Sequence, residues 1–514
     1  MERVAPPQVN YDNVLPLAIE SRSNRREFLP VNGQTFSNAN GATICRIDIN
    51  ADSMLDASHS YLECNITNSS EVADTYLKLN PFTPAWIQRL RIESGGVVIE
   101  DINEYSRLYA MLMLNQVPES YVRNNVSNQG MYRPPQSTNL KTAGGAAVNT
   151  VAGGVARAPD IVTPTAGAQS VLVDCAIPSE LHYPMTAQGL IRGNGLIGAT
   201  PGAAASNQPT AGGLVNHALS NILTAQSHTM CIPLVSGFLN MDKYIPLIMM
   251  NAGFTLELTL CDPNRIGISR VEAADDDAAA AAVDSLWTVS AVKYVAHLID
   301  LDRSFYDRLR AVMESSGGVL QLAGQTYRHF VGNLPAGIGP HTITLPARVK
   351  SVKSIFGTFI DSTQMGVNTG YDTSVFQRAN LNRYRFEIGS VRYPQTDVNA
   401  GTQENQAELQ KAWGKLGDYS HQQPYQFKHT LNDSTPRLDA SSSEALLSAY
   451  FIGYDFEAFQ RVALEAGINT ADRSLPINFI CEKTAGGTIS RADFFILCDA
   501  IYYINLDGTV SVSV

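Results

Sequence analysis

Residues 292–356 read VKYVAHLIDLDRSFYDRLRAVMESSGGVLQLAGQTYRHFVGNLPAGIGPHTITLPARVKSVKSIF. Four signals follow one another along this stretch. Val292 to Leu301 is apolar and strand-like. From about Asp302 to Met313 the spacing predicts a helix, because Phe305, Leu309 and Val312/Met313 fall on one face and Arg303, Asp307, Arg308 and Arg310 on the others. Gly317-Gly318 then ends the helix, as glycines do at C-termini. Val319 to Val331, His341 to Leu345 and Val349 to Phe359 read as the strands of a new unit.

Both flanks of this joint recur elsewhere in the chain. Gly324-Gln325-Thr326-Tyr327 echoes Gly33-Gln34-Thr35-Phe36, and Val292 to Asp302 echoes Phe494 to Asp507. A third echo pairs Cys261, ending FTLELTLC, with Cys481, ending LPINFIC. The order is kept. The spacing between copies falls from 291 residues at Gly33/Gly324 to 220 at Cys261/Cys481 and 205 at Asp302/Asp507. Both decreases fall where the first copy carries a low-complexity insert. The chain therefore reads as one β-unit built twice, and residues 292–356 join the copies.

The rest of the chain fits this plan. Ile44 to Ile49 alternates apolar and polar residues, as a half-buried strand does. Ser60 to Ile66 and Ile87 to Ile99 continue the pattern, with Gly95-Gly96 as a hairpin turn. Ile102, Tyr105, Leu108, Tyr109, Leu112 and Met113 then recur at helical spacing and predict a helix with one apolar stripe. Residues 134–227 are rich in Gly, Ala, Thr, Asn and Pro and read as an irregular surface excursion. Met230 to Leu239 and Phe254 to Leu260 return to strand. A second insert, Val271 to Asp284, precedes a strand from Trp287. In the second copy, Tyr384 to Ile388 turns through Gly389-Ser390 into Val391 to Pro394. Glu404 to Trp413 reads as helix, and Leu475 to Cys481, Phe494 to Ile504 and Thr509 to Val514 as strands. Residues 1–28, with Pro6, Pro7, Pro16 and the cluster Arg22, Arg25 and Arg26, read as a flexible or docking arm. Units of about 200 residues with many short alternating strands and few helices are antiparallel sandwiches or jelly rolls.

Composition narrows the function. A chain of 514 residues exceeds the roughly 250–300 residues that one core serves. Only 17% of residues are charged and the net charge is −11, which argues against wrapping nucleic acid, since that needs many cations. The seven cysteines show no CxxC spacing and read as buried free thiols in a reducing compartment. MERVAPPQVNYDNV lacks the apolar core of a signal peptide, so synthesis in the cytosol is expected. The sequons at Asn65, Asn68, Asn125 and Asn432 then read as chance matches.

No catalytic signature emerges. The double glycines lack the Lys-Ser/Thr continuation of a phosphate loop, and no GxSxG elbow is present. The nine histidines form neither HxH nor HExxH. His329, within Tyr327-Arg328-His329-Phe330, reads as a hydrogen-bonded strand histidine. Asp275, Asp276 and Asp277 lack the alternation and glycine turn of a Ca²⁺ loop. The expectation is that the chain holds no catalytic, cofactor or metal site. A large duplicated β-protein without a site points to an assembly subunit, whose surfaces are reused by symmetry.

Several stretches carry a family resemblance. They include Tyr327-Arg328-His329-Phe330 with Asn333-Leu334-Pro335-Ala336-Gly337, and Leu345 to Phe356, which is similar to an LPxRxxSxKSxF run. Tyr384 to Pro394 is similar to an IGxxxYP hairpin, and Gly467-Ile468-Asn469-Thr470 with Asp499-Ala500-Ile501 and Asp507 to Val510 to a C-terminal end. Over about 290–514, and in the first half through the order of its elements, the chain resembles the double jelly-roll major capsid proteins of icosahedral double-stranded DNA viruses. The nearest likeness is to the polinton-like virus, virophage and adintovirus group of the adenovirus-hexon lineage.

The resemblance implies an all-β fold of two tandem eight-stranded antiparallel jelly rolls with a few short helices and long loop insertions. It divides the chain into an N-terminal arm (1–28), a first jelly roll (29–302) with an insertion at about 134–227, a connecting helix (303–318) and a second jelly roll (319–514). It implies a non-enzymatic homotrimer of pseudo-hexagonal outline, made in the host cytoplasm and located in the virion. Its partners would be neighbouring capsomers, penton and minor or cement capsid proteins, without specific nucleic-acid binding. The alternative is a tandem jelly-roll carbohydrate-binding protein or hydrolase, because fold alone does not fix function. Such a protein would usually be secreted, with aromatics and carboxylates gathered in one cleft.

Overall fold

In the computed structural model, the described residues are 20–38, 43–72, 75–80, 83–115, 221–241, 243–271, 284–315, 317–366, 373–374, 376–414, 450–458, 466–472 and 476–514. Short two-residue strands between Thr142 and Leu172 and between Arg437 and Leu446 are described as well. Eight principal strands build the first half: β1 Ser21–Phe28, β2 Ile44–Ile49, β3 Met54–Asn68, β4 Ile87–Ser94, β5 Val97–Asn103, β6 Ser227–Ile232, β7 Phe254–Leu260 and β8 Trp287–Leu301. Eight build the second: β9 Val319–Leu334, β10 Gly339–Leu345, β11 Val352–Asp361, β12 Leu381–Ile388, β13 Val391–Asn399, β14 Ile452–Asp455, β15 Ile477–Lys483 and β16 Ser490–Asn505.

The strand pairing repeats from one half to the other. The first half forms sheets β1-β8-β3-β6 and β2-β7-β4-β5; the second forms β9-β16-β11-β14 and β10-β15-β12-β13. Each strand of the first half has its counterpart eight strands later, in the same place of the same sheet. All these pairs are antiparallel. Two four-stranded sheets packed in this order form a jelly roll. Even the helices match: α1 Tyr105–Asn115 follows β5, and α3 Gln403–Trp413 follows β13. Between the halves lies α2, Arg303–Ser315.

Local sequence explains the strands. FTLELTL in β7 buries every second residue, and so does INFICEK in β15; the pleat sends alternate side chains to opposite faces. The β4–β5 and β12–β13 hairpins both close over two residues, Gly95-Gly96 and Gly389-Ser390. At the joint, the Gly318 amide donates to Met313 O at 2.7 Å, closing the end of α2. Gly317 and Gly318 have φ of +87° and +84°, a region costly to residues with a Cβ.

Antiparallel order sets which connections share an end. Among the described residues, 50–53, 95–96, 233–241 and 243–253 and the exit of β8 into α2 lie at one end of the first barrel; 69–72, 75–80, 83–86, 104–115, 221–226, 261–271 and 284–286 lie at the other. The Asn251 amide donates to Gly508 O at 3.0 Å, joining the first end of barrel one to the same end of barrel two. Asn80 Oδ1 accepts from the Thr373 amide and Ser374 Oγ, both at 3.3 Å, joining the opposite ends. The two barrels stand side by side and point the same way.

Some sequence expectations are corrected here. Arg22, Arg25 and Arg26 do not lie in a flexible arm: β1 pairs with β8 from Ser21↔Leu301 to Phe28↔Tyr294. The insertion ends before residue 227, since Asn221–Leu223 pairs with Thr75–Leu79. The Gly-Gln-Thr echo is not a register match. Thr35–Phe36 is a separate short strand against β8, whereas Gly324 to Thr326 lie inside β9. Helix α1 shows no single stripe, because Ser106, Arg107, Leu108, Tyr109, Ala110 and Met111 are all buried. Residues 1–19 and 272–283, with Asp275–Asp277, lie outside the described residues.

Candidate functional site: the seam between the barrels

Helix α1 is held on the first barrel through Tyr105 and Tyr109, which bond the Val235 amide and Pro233 O, and it meets the second barrel through Arg107. At its start, Glu104 accepts from Arg265 at 2.7 and 3.3 Å within the first barrel and from Arg491 of β16 at 2.9 Å. Arg107 of α1 bonds Asp493 of β16, and both side chains are fully buried. Asp493 also accepts from Arg491 Nε at 3.0 Å and is hydrogen-bonded to His329 Nε2 of β9 at 2.8 Å. Three guanidiniums and one imidazole thus surround two carboxylates, split between the barrels. Charges buried this way persist only when paired.

Electrostatics follows from the geometry. Burial pushes the Glu104 carboxyl up, but Arg107, Arg265 and Arg491 outweigh it and hold Glu104 well below the usual carboxylate range. Burial also opposes ionisation of Asp493, and Arg107, His329 and Arg491 together lower it below its ordinary value. Both acids are therefore held as carboxylates.

A second node lies on β5. Glu100 accepts from Ser236 Oγ, from the Gly237 amide at 3.0 Å and the Phe238 amide at 3.3 Å, and from Thr326 Oγ1 of β9 at 2.9 Å. Burial raises its pKa against those four donors. The backbones meet here: a Cβ on Gly237 would sit 1.4 Å from Gln325 O, so only glycine fits. Phe238 packs edge-on against Tyr502 of β16 with ring centroids 5.2 Å apart. One apolar cluster runs from the first barrel through Phe238 to Phe495, Tyr502 and Ile504, while a second fills the interior of barrel two. The outer face of β9-β16-β11 is therefore core, not surface.

The stretches that carry the family resemblance meet in space. Lys353 Nζ lies 2.7 Å from Glu457 and 3.2 Å from Asp499. Ser351 Oγ donates to Asp499 at 2.8 Å and accepts from the Gly467 amide at 3.1 Å. Val352 and Ile468 exchange backbone bonds of 2.9 and 3.0 Å, and the Thr470 amide donates to Val349 O at 2.9 Å. Burial disfavours the Lys353 charge, but Glu457 and Asp499 outweigh it and raise its pKa. These residues staple β11 and β16 to the segment before β15.

Among the described residues no group of three or more His, Cys, Asp or Glu side chains gathers as a metal site. His329 is tied to Asp493 and packs on Phe495 at 5.0 Å. Cys45, Cys64, Cys261, Cys481 and Cys498 are buried free thiols and Cys231 is half-buried; burial pushes Cys45, Cys481 and Cys498 up to about 12. What this arrangement does is mechanical: it locks two barrels into one rigid unit. Sequence reading missed the seam, because its members are scattered from Asn80 to Gly508. The one available signal was the pair of arginines, Arg107 and Arg491, inside apolar runs.

Two jelly rolls in tandem, standing parallel and welded along one side, define a double jelly roll. Solved structures of similar fold include viral capsid proteins. PBCV-1 VP54, fitted into a reconstruction of the virophage Sputnik, is 9% identical, with 98% of this chain and 99% of that chain covered and a TM-score of 0.51. The PBCV-1 virus capsid gives 10%, 98%, 99% and 0.51. The Faustovirus major capsid protein is 8% identical, with 97% and 92% covered and a TM-score of 0.51. At such identities the likeness is one of fold. No family model and no curated protein matches the chain in sequence.

Proposed function

We propose that this chain is a major capsid protein, a non-enzymatic subunit that forms trimeric, pseudo-hexagonal capsomers tiling the icosahedral capsid of a double-stranded DNA virus. The observation that carries the reading is the pair of parallel, topologically identical barrels fixed by a seam with a fully buried ion pair, in a fold matched end to end by capsid proteins. A rigid pair of equivalent barrels gives three copies six near-equivalent sides. Its partners are other copies of itself, neighbouring capsomers, and penton and minor or cement proteins, and its place is the virion. The end where β5 runs into α1 faces outward, since the longest connection in the sequence leaves from there and long insertions are accommodated at a free surface; the opposite end forms the base. Purified full-length protein examined by light scattering and negative-stain microscopy should show three-chain particles of hexagonal outline. A monomer at all concentrations would overturn the proposal.

A further inference from the structure

Away from the seam, the β3–β8 pair carries a feature that the capsid reading does not use. The strands are in register at Asp56↔His297 and again from Tyr61↔Val295, so residues 57–60 form a wide bulge. Bulges re-aim side chains. This one is held from within: Ser60 Oγ donates to Asp56 O at 2.7 Å and accepts from the His297 amide at 3.0 Å. Asp56 is buried, and its Oδ1 accepts from the Ser58 amide at 3.1 Å and from Ser58 Oγ at 2.6 Å. Its Oδ2 lies 2.7 Å from His59 Nδ1. His59 itself stays at the surface, its side chain 73% exposed, with its ring centroid 5.7 Å from that of His297.

We propose that His59 and His297 bind a divalent transition-metal ion of the Zn²⁺ class, with Asp56 orienting the His59 ring. A carboxylate only accepts hydrogen bonds, so Nδ1 of His59 carries the proton and Nε2 is left with a free lone pair. A carboxylate on the far nitrogen of a metal-binding histidine fixes the ring and raises its basicity. The spacing fits. A metal–nitrogen bond of about 2.0–2.1 Å puts an ion roughly 3.2 Å from each ring centroid. Two such arms place the centroids roughly 5.2 Å apart at a tetrahedral angle and up to about 6.4 Å at wider ones; the observed 5.7 Å lies between. The charges beside the rings favour a cation. Arg25, opposite His297 on β1, meets Glu27 at 3.1 Å, and Lys293 meets Glu27 at 3.3 Å and Glu63 at 3.1 Å. Asp56, Glu27 and Glu63 against Arg25 and Lys293 leave one net negative charge. Barrel two gives the contrast. Its β11–β16 pair also breaks register, between Val352 and Ser354, and there the chain supplies its own cation, Lys353, to Glu457 and Asp499. Imidazole suits Zn²⁺, Ni²⁺ and Cu²⁺ rather than Mg²⁺. With two protein ligands the ion keeps water in its other positions and clips the bulge of β3 to β8. The site rests on no part of the capsid reading.

Full-length protein stripped of metal by a chelator is titrated with ZnCl₂ by calorimetry, with MgCl₂ as the control and circular dichroism to check folding. The wild-type chain is expected to bind Zn²⁺ and not Mg²⁺. His59→Ala and His297→Ala should each weaken that binding at least tenfold, and Asp56→Asn should weaken it about 10–100-fold. His341→Ala, whose ring bonds Gly337 O in barrel two, should bind as the wild type does. His59 is exposed, so His59→Ala keeps the core intact and decides the question if His297→Ala or Asp56→Asn does not fold. A wild-type chain that binds no Zn²⁺, or a His59→Ala chain that binds it as tightly as the wild type, overturns the site. Full affinity in a folded Asp56→Asn chain overturns the orienting role given to Asp56.

Discussion

The seam makes an asymmetric prediction about its own charges. Asp493 is the carboxylate on which Arg107, Arg491 and His329 converge. Replacing it by Asn leaves three buried or half-buried guanidiniums with Glu104 as the one acid of that cluster. Replacing Arg107 by Met leaves Arg265 and Arg491 against Glu104 and Asp493, a balanced set in which Asp493 keeps Arg491 at 3.0 Å and His329 at 2.8 Å. Breaking a buried ion pair costs about 3–5 kcal/mol. Arg107→Met should fall near the lower bound, about 3 kcal/mol, and Asp493→Asn at the upper, about 5 kcal/mol or more. For a unit of roughly 150–250 residues, 1 kcal/mol moves Tm by about 2–4 °C. The losses are then about 6–12 °C for Arg107→Met and about 10–20 °C for Asp493→Asn. Calorimetry at fixed protein concentration reads both. If Arg107→Met costs as much as Asp493→Asn, charge balance is not what holds the seam and the reasoning fails.

Other consequences are as specific. Gly237→Val should abolish soluble folded protein, because its Cβ would overlap Gln325 O, whereas Gly486→Ala, with 3.5 Å to Ala336 O, should be silent within about 0.5 kcal/mol; equal expression of the two refutes the close approach. Glu104 and Asp493 have folded-state pKa values below their ordinary ones, so their stabilisation is full above the unfolded value near pH 4 and is lost as pH falls through the folded values. Glu100, shifted upward, has the opposite sign and gains on protonation. Melting curves from pH 6 to 3 should therefore fall below about pH 4, and fall less steeply in Glu104→Gln. Replacing Gly317 and Gly318 by Val should cost about 2–4 kcal/mol from backbone strain at positive φ and lower the yield of trimer; normal trimer yield would show that the joint does not set the barrel angle. Lys353→Met should cost about 3–5 kcal/mol by removing the cation between two buried carboxylates, Glu457 and Asp499, read as a shift in denaturant midpoint.

How far the sequence alone reached depends on what kind of signal each feature leaves. Alternation in FTLELTL and INFICEK marked strands, because the pleat repeats every two residues whatever surrounds it. The Phe305/Leu309/Val312 spacing and Gly317-Gly318 marked the joint helix and its stop. The recurrence of elements in order marked the duplication, and strand-by-strand pairing then gave both copies one topology. These are local or periodic properties, and the chain states them directly. The arm that became β1 was misread because edge strands covered on one side need few apolar residues, and SRSNRREF offers only Phe28 to the core.

What only the tertiary structure decided is which faces are inside. Helix α1 has the spacing of a striped surface helix, yet its residues are buried on every side and its Arg107 reaches into barrel two. Arg107 stands out among apolar neighbours in sequence, but nothing there names its partner; it joins Asp493 in a buried lock only when residues 386 positions apart are brought together. Gly237 is an unremarked glycine until the backbone of Gln325 arrives beside it. Periodicity records how a segment meets its nearest layer. It holds no record of a second domain docking on the outside, since that burial is set by long-range packing and charge pairing between segments whose spacing in the chain is arbitrary.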